Sequence, residues 1–153
     1  PAYGGGVGLV AACDIAIAAD TATFALTEVR LGLIPAVVSP YVIAAIGARA
    51  ARRYFLTGER FGAAEALRLG LVHCVVPADR LEQTLGEIVM GLREGGPLAQ
   101  GAAKRLVADV AGRPIDAALA AKTARRIAKT RAGAEAKEGI AAFLDKRKPA
   151  WRR

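Results

Sequence analysis

Residues 1–14, Pro-Ala-Tyr-Gly-Gly-Gly-Val-Gly-Leu-Val-Ala-Ala-Cys-Asp, decide how this chain reads. Gly4, Gly5 and Gly6 are consecutive, a fourth glycine follows at Gly8, and an apolar run begins at once. A glycine turn that feeds a helix leaves amide N–H groups pointing outward at the positive end of the helix dipole. Without side chains in the way, a ligand oxygen can reach those amides, which is how an oxyanion hole is built. Two other readings share the same residues. Gly6-Val7-Gly8-Leu9-Val10-Ala11 satisfies the dinucleotide pattern G-x-G-x-x-G/A, with Glu28 about 20 residues further on. That pattern needs a strand before its glycines, and only Pro1, Ala2 and Tyr3 stand there. A tight turn with close helix packing needs no ligand at all.

The rest of the composition narrows the classes. A chain of 153 residues, 54% hydrophobic and 24% charged, can build one modest core and is not a disordered segment. The net charge of +8 is uneven: residues 1–76 hold six basic and five acidic residues, residues 77–153 hold sixteen and nine. The basic half suits either solvated helix faces or a polyanion such as nucleic acid or a phosphorylated ligand. Its only aromatics are Phe143 and Trp151, little stacking surface for a nucleic acid. Cys13 and Cys74 have no CxxC spacing and sit in apolar contexts, so buried thiols in a reducing, cytoplasmic setting are expected. One histidine, His73 in LVHCVV, and no ligand cluster argue against a metal site and for a strand residue. The uncharged run between Arg30 and Arg49 is broken by Pro35, Ser39 and Pro40 into a loop and a short helix, and is not read as a membrane span.

Along the chain, a helix follows the glycines, DIAIAAD and TATFALTEV read as short extended segments, and LGLIPAVVSP as a loop. Ser39 is placed as the cap of a helix with Pro40 at its first position, closed by Gly47; two further helices end near Gly58 and Gly70. LVHCVVP reads as a buried strand. From Pro77 the pattern is helical only, with Asp79 as a cap, restarts at Pro97 and Pro114, and a break at Gly133. The expected division is 1–76, an α/β core with the glycine segment, and 77–153, a helical region. So few strands imply that a stable α/β layer uses more strands from before Pro1.

Glu28 stands out without any comparison: it is the only acid between Asp20 and Glu59, and its surroundings are apolar. Such a carboxylate is a candidate proton carrier, and an ion pair with Arg30 is the competing reading.

Three ordered stretches resemble one family. GGGVGLVAACDIAIAADTATFALTEVRLGLIP is similar to the active-site region of the crotonase superfamily of enoyl-CoA hydratases and isomerases; RRYFLTGERFGAAEALRLGLVHCVVP and EGIAAFLDKRKPAW resemble its later motifs. Pro35-Ala36-Val37-Val38-Ser39-Pro40, where such enzymes usually have PGxGGTQ, resembles the branch handling methylglutaconyl-CoA. The resemblance implies the C-terminal part of a crotonase-type ββα spiral followed by a helical trimerisation region, with Pro1 falling inside a longer domain. It implies hydration of an enoyl-CoA, with double-bond isomerisation or an inactive fragment as alternatives, and makes the chain a lyase of acyl-CoA metabolism. Gly5 takes the place of one oxyanion N–H donor, flanked by Gly4 and Gly6; the other donor lies upstream, and its loss would forfeit about 3–4 kcal/mol of transition-state stabilisation. Of the family's two glutamates, Glu28 matches the second, while Gly8 stands where the first is expected. The resemblance also makes Gly4, Gly6, Gly8 and Pro35 substrate-binding, with Phe143 and Lys146 near the nucleotide of coenzyme A, which enters only as part of the thioester substrate, so no separate cofactor is implied. The implied partners are an acyl-CoA and further copies of the chain, as a homo-trimer or dimer of trimers, with no nucleic acid and no membrane.

Overall fold

The computed structural model describes residues 1–152, which fall into two compact units, residues 1–86 and residues from 87 onward. The first unit holds every strand among the described residues. Its elements run β1 (Ala2–Tyr3), α1 (Gly5–Ala12), β2 (Ile17–Ala19), β3 (Thr23–Ala25), α2 (Ser39–Thr57), β4 (Phe61–Gly62), α3 (Ala63–Leu69) and β5 (Cys74–Val76). Among the described residues the strands form a three-stranded sheet ordered β1-β3-β4 and a parallel pair β2-β5. β1 and β3 are parallel, pairing Ala2 with Phe24 and Tyr3 with Ala25; β4 is antiparallel to β3.

Fully buried Val7, Leu26 and Val42 form the centre of this unit, drawn from α1, the segment after β3, and α2. Phe61 stacks on Phe24 with centroids 5.6 Å apart and lies 4.3 Å from the Tyr54 ring. Aromatic pairs at such spacing add about 0.5–1.5 kcal/mol beyond their buried area. The Tyr54 hydroxyl donates to Glu65 Oε1 at 2.8 Å, so the polar end of a buried ring is satisfied. Arg68 donates to both oxygens of the same carboxylate, each at 2.6 Å.

The second unit takes in α5 (Pro97–Val110), α6 (Ala117–Ala132) and α7 (Ala134–Leu144); α4 (Leu81–Glu94) crosses the division. Glu135 of α7 accepts from the Leu98 and Ala99 amides at 3.0 and 2.8 Å, so its carboxylate closes the otherwise open start of α5. Trp151 donates its indole N–H to the Glu94 carbonyl at 3.2 Å.

Several local expectations shift. α2 begins at Ser39 itself, with Val38 as cap, and Ser39 Oγ donates to the Ala36 carbonyl at 2.9 Å. The break at Gly47 is real: its backbone (φ 76°, ψ 156°) is non-helical inside α2. Asp79 lies within a 3-10 turn, Ala78–Arg80, rather than capping α4. Pro114 does not restart a helix; α6 starts at Ala117, where Asp116 accepts from the Leu119 amide at 2.7 Å. A side-chain cap satisfies an orphan amide, which the proline two residues before it cannot do. The thiols are not buried: Cys13 is exposed at the end of α1 and Cys74 is half-buried, as is the rest of β5. His73 precedes β5, and its Nδ1 accepts from the Ala16 amide at 3.0 Å. No helix among the described residues is long and apolar enough to cross a membrane.

Candidate functional site

Parallel pairing of β1 and β3 places their C-terminal ends side by side. The ladder extends one step further, with the Gly4 amide donating to the Ala25 carbonyl at 2.8 Å. From that edge the first chain turns into α1 and the second reaches Glu28, which opens a 3-10 turn, Glu28–Leu31. Ligands of open α/β sheets characteristically sit outside the carboxyl ends of parallel strands, and this edge has that geometry.

Gly4 makes the turn into α1 with φ 51° and ψ −119°. Left-handed φ with strongly negative ψ is the first central position of a type II′ turn, where glycine is the residue that fits. The turn leaves the amides of Gly5 and Gly6 at the helix start, without intrahelical acceptors, and Gly5 is exposed. A Cβ at Gly4 would lie 3.3 Å from Glu28 Oε1, so the bare backbone and the carboxylate are in near contact.

Glu28 is half-buried, and its Oε2 is shut off from solvent with no hydrogen-bond partner. The ion pair with Arg30 is not formed; Arg30 runs instead over Gly58, its Nε 3.0 Å from where a Cβ there would stand. A buried carboxylate oxygen left unpartnered is costly in a purely structural role, and such groups cluster at sites that bind or react.

Gly8 is buried one helical turn beyond Gly4. A Cβ there would lie 2.2 Å from Val38 Cγ1, 2.5 Å from Val38 Cβ and 3.5 Å from Val38 Cα. The volume of any side chain at position 8 is therefore already taken by valine. Gly8 stands out in the sequence; Val38, 30 residues away, carries no local signal of the contact. Pro35 is half-buried in the same loop, its carbonyl accepting from the Ser39 amide at 3.0 Å. Phe143 and Lys146 belong to the second unit: Phe143 is 81% exposed, and Lys146 (φ 55°) donates its amide to the Phe143 carbonyl at 3.2 Å. The described residues contain no group of three or more histidine, cysteine or acidic side chains arranged to hold a metal.

A glycine-turned helix start beside a secluded carboxylate is an arrangement in which backbone amides can receive an oxygen and one side chain can carry protons. The family pattern for enoyl-CoA hydratase/isomerase matches residues 1–153. The chain is 35% identical to the mevalonyl-coenzyme A hydratase sidH of Aspergillus fumigatus, over 97% of this chain and 56% of that protein. It is 33% identical to the carnitinyl-CoA dehydratase of Escherichia coli K12, over 99% of this chain and 59% of that protein. The crystal structure of an enoyl-CoA hydratase from Shewanella pealeana superposes with a TM-score of 0.93 at 44% identity, covering 98% of this chain and 56% of that one. The chain belongs to the enoyl-CoA hydratase/isomerase family and has the crotonase-type α/β fold. It spans less than three-fifths of the length of these relatives.

Proposed function

We propose that the chain carries one side of an acyl-CoA hydratase or isomerase site, in which the Gly5 amide receives the thioester oxygen and Glu28 transfers protons. The observation that carries this reading is the secluded, unpartnered Oε2 of Glu28 beside the open start of α1. In hydration, Glu28 takes a proton from water as the water oxygen bonds to the β-carbon. The double-bond electrons move onto the thioester oxygen, held by the Gly5 N–H. Collapse of that enolate then takes the proton from Glu28 onto the α-carbon, so one water is added and the carboxylate is restored. The second oxyanion donor implied by the family resemblance is not among these glycines.

A single carboxylate also suffices for isomerisation, in which it takes a proton from the α-carbon and returns it to the γ-carbon. Valine beside Gly8, in place of a second acid, favours one-carboxylate chemistry of either kind. The relatives named for mevalonyl and carnitinyl thioesters support an acyl group with a polar tail, in keeping with a carboxylated, branched substrate such as methylglutaconyl-CoA. Coenzyme A enters within the thioester, with Phe143 and Lys146 as its contacts, and the chain works as a homo-trimer or dimer of trimers.

The test is loss of the conjugated-thioester absorbance of crotonyl-CoA and methylglutaconyl-CoA, with product analysis to separate hydration from isomerisation. Turnover by the chain, reduced on the order of 10²–10⁴-fold in Glu28→Gln, is expected. Turnover unchanged by Glu28→Gln refutes the role of Glu28. An inert wild-type chain overturns its reading as an active enzyme and leaves the inactive-fragment alternative in its place.

A further inference from the structure

The geometry points to Val38 as the residue that keeps this site to one carboxylate, by occupying the volume that an acid at position 8 would need. This rests on the proposed role of Glu28 for its chemical meaning, but its steric core stands on contact distances alone. Gly4 and Gly8 lie one turn apart on α1. Glu28 Oε1 lies over the first, and Val38 lies over the second. The α1 backbone is thus flanked by a proton carrier at its start and by branched methyls one turn on.

The distances rank the substitutions. The Val38 Cγ1 and Cβ atoms are both closer than 3.0 Å to a Cβ on residue 8, while Cα stands at 3.5 Å, an ordinary contact. Trimming Val38 to alanine leaves the Cβ clash in place. Only glycine at position 38 clears it. Both residues are held by packing: Gly8 is buried within α1, and Val38 is the cap of α2, packed against the core. A rigid pair of this kind does not absorb an overlap near 1 Å by side-chain rotation, and overpacking destabilises. Val38 is therefore a positioning residue: it leaves Glu28 as the sole acid on this face, so both proton transfers of the reaction fall to one group.

The experiment is a set of thermal melts on the chain carrying Gly8→Ala, Gly8→Ala/Val38→Ala, Gly8→Ala/Val38→Gly, and Gly8→Glu with and without Val38→Gly. Gly8→Ala is expected to lower Tm by about 5 °C or more. Val38→Ala is expected not to restore it, and Val38→Gly to recover at least half of the loss. If Gly8→Ala melts with the wild-type chain, or Val38→Ala rescues as well as Val38→Gly, the inference is overturned. Where Gly8→Glu alone does not fold, recovery of a cooperative melt in Gly8→Glu/Val38→Gly is the supporting result, and its failure to recover while Gly8→Ala/Val38→Gly folds overturns the claim that Val38 is what excludes an acid. With crotonyl-CoA, Gly8→Glu/Val38→Gly is expected to gain a second ionisation in its pH–rate profile. A double variant that turns over with the wild-type profile overturns the chemical half. A wild type that turns over neither crotonyl-CoA nor methylglutaconyl-CoA overturns the reading of the chain as an active enzyme, while the melts still decide the steric claim.

Discussion

Gly4→Ala places a side chain where the backbone has φ 51° and ψ −119°. For an L-residue this is a sparsely populated conformation, with a cost of about 1–3 kcal/mol. The added Cβ also meets Glu28 Oε1 at 3.3 Å, a contact the flexible carboxylate can relieve by shifting a few tenths of an ångström. Strain is therefore the larger effect, and a loss of about 2 kcal/mol is expected. For a chain of this size that corresponds to a fall in Tm of about 4–8 °C. Circular dichroism melts of Gly4→Ala and Gly4→Asn separate the causes. Asparagine tolerates the left-handed helical region at positive ψ, not ψ near −119°, so it gives no relief. A Glu28→Ala background removes the carboxylate contact and is expected to recover only a minor part of the loss. Gly4→Ala with the wild-type Tm, or a Gly4→Asn variant that melts with wild type, refutes the reasoning.

Two further outcomes concern the scaffold. Arg68, and after it the Tyr54 hydroxyl, hold the Glu65 carboxyl at about 2, below its ordinary value of 4.5. A depressed carboxyl stabilises the fold above the unfolded value and loses that contribution as pH falls through the folded one. Tm is therefore expected to drop between about pH 5 and pH 2, with a shallower slope in Glu65→Gln; identical slopes count against it. Glu135→Ala uncaps α5 and is expected to destabilise the second unit by about 1 kcal/mol, followed by urea unfolding on the fluorescence of Trp151, the chain's single tryptophan. An unchanged midpoint there means that water replaces the carboxylate without loss.

The elements were legible where glycine, proline or a change of period marks them. The start of α1 within the glycine run, the break at Gly47 and the break at Gly133 follow from local backbone preferences. Caps were less so: Pro114 reads as a restart, yet Asp116 sets the first turn of α6, because its carboxylate satisfies an amide that the proline leaves open. The thiols read as buried, but apolar neighbours in sequence do not say which way a residue at a helix end faces; Cys13 follows α1 and is exposed. At the site, Glu28 was legible as a lone acid in an apolar stretch. Its nearness to Gly4 was not, because that depends on β1 and β3 being parallel. The three glycines look equivalent in sequence; only the turn singles out Gly4. Val38 was invisible as a partner of Gly8, since shape complementarity between segments 30 residues apart leaves no periodic or compositional trace.

The pairing of residues 8 and 38 also imposes an order on evolutionary change. A lineage acquiring bulk first at position 8 passes through an overfilled intermediate, whereas one that first loses the valine passes through an underfilled one. Large-to-small changes leave a gap that neighbours partly close, while an overlap of this size has no nearby accommodation. The route between a glycine and an acid at this position therefore has a preferred first step, and a chain holding Gly8 with Val38 resists gaining an acid by any single substitution at position 8.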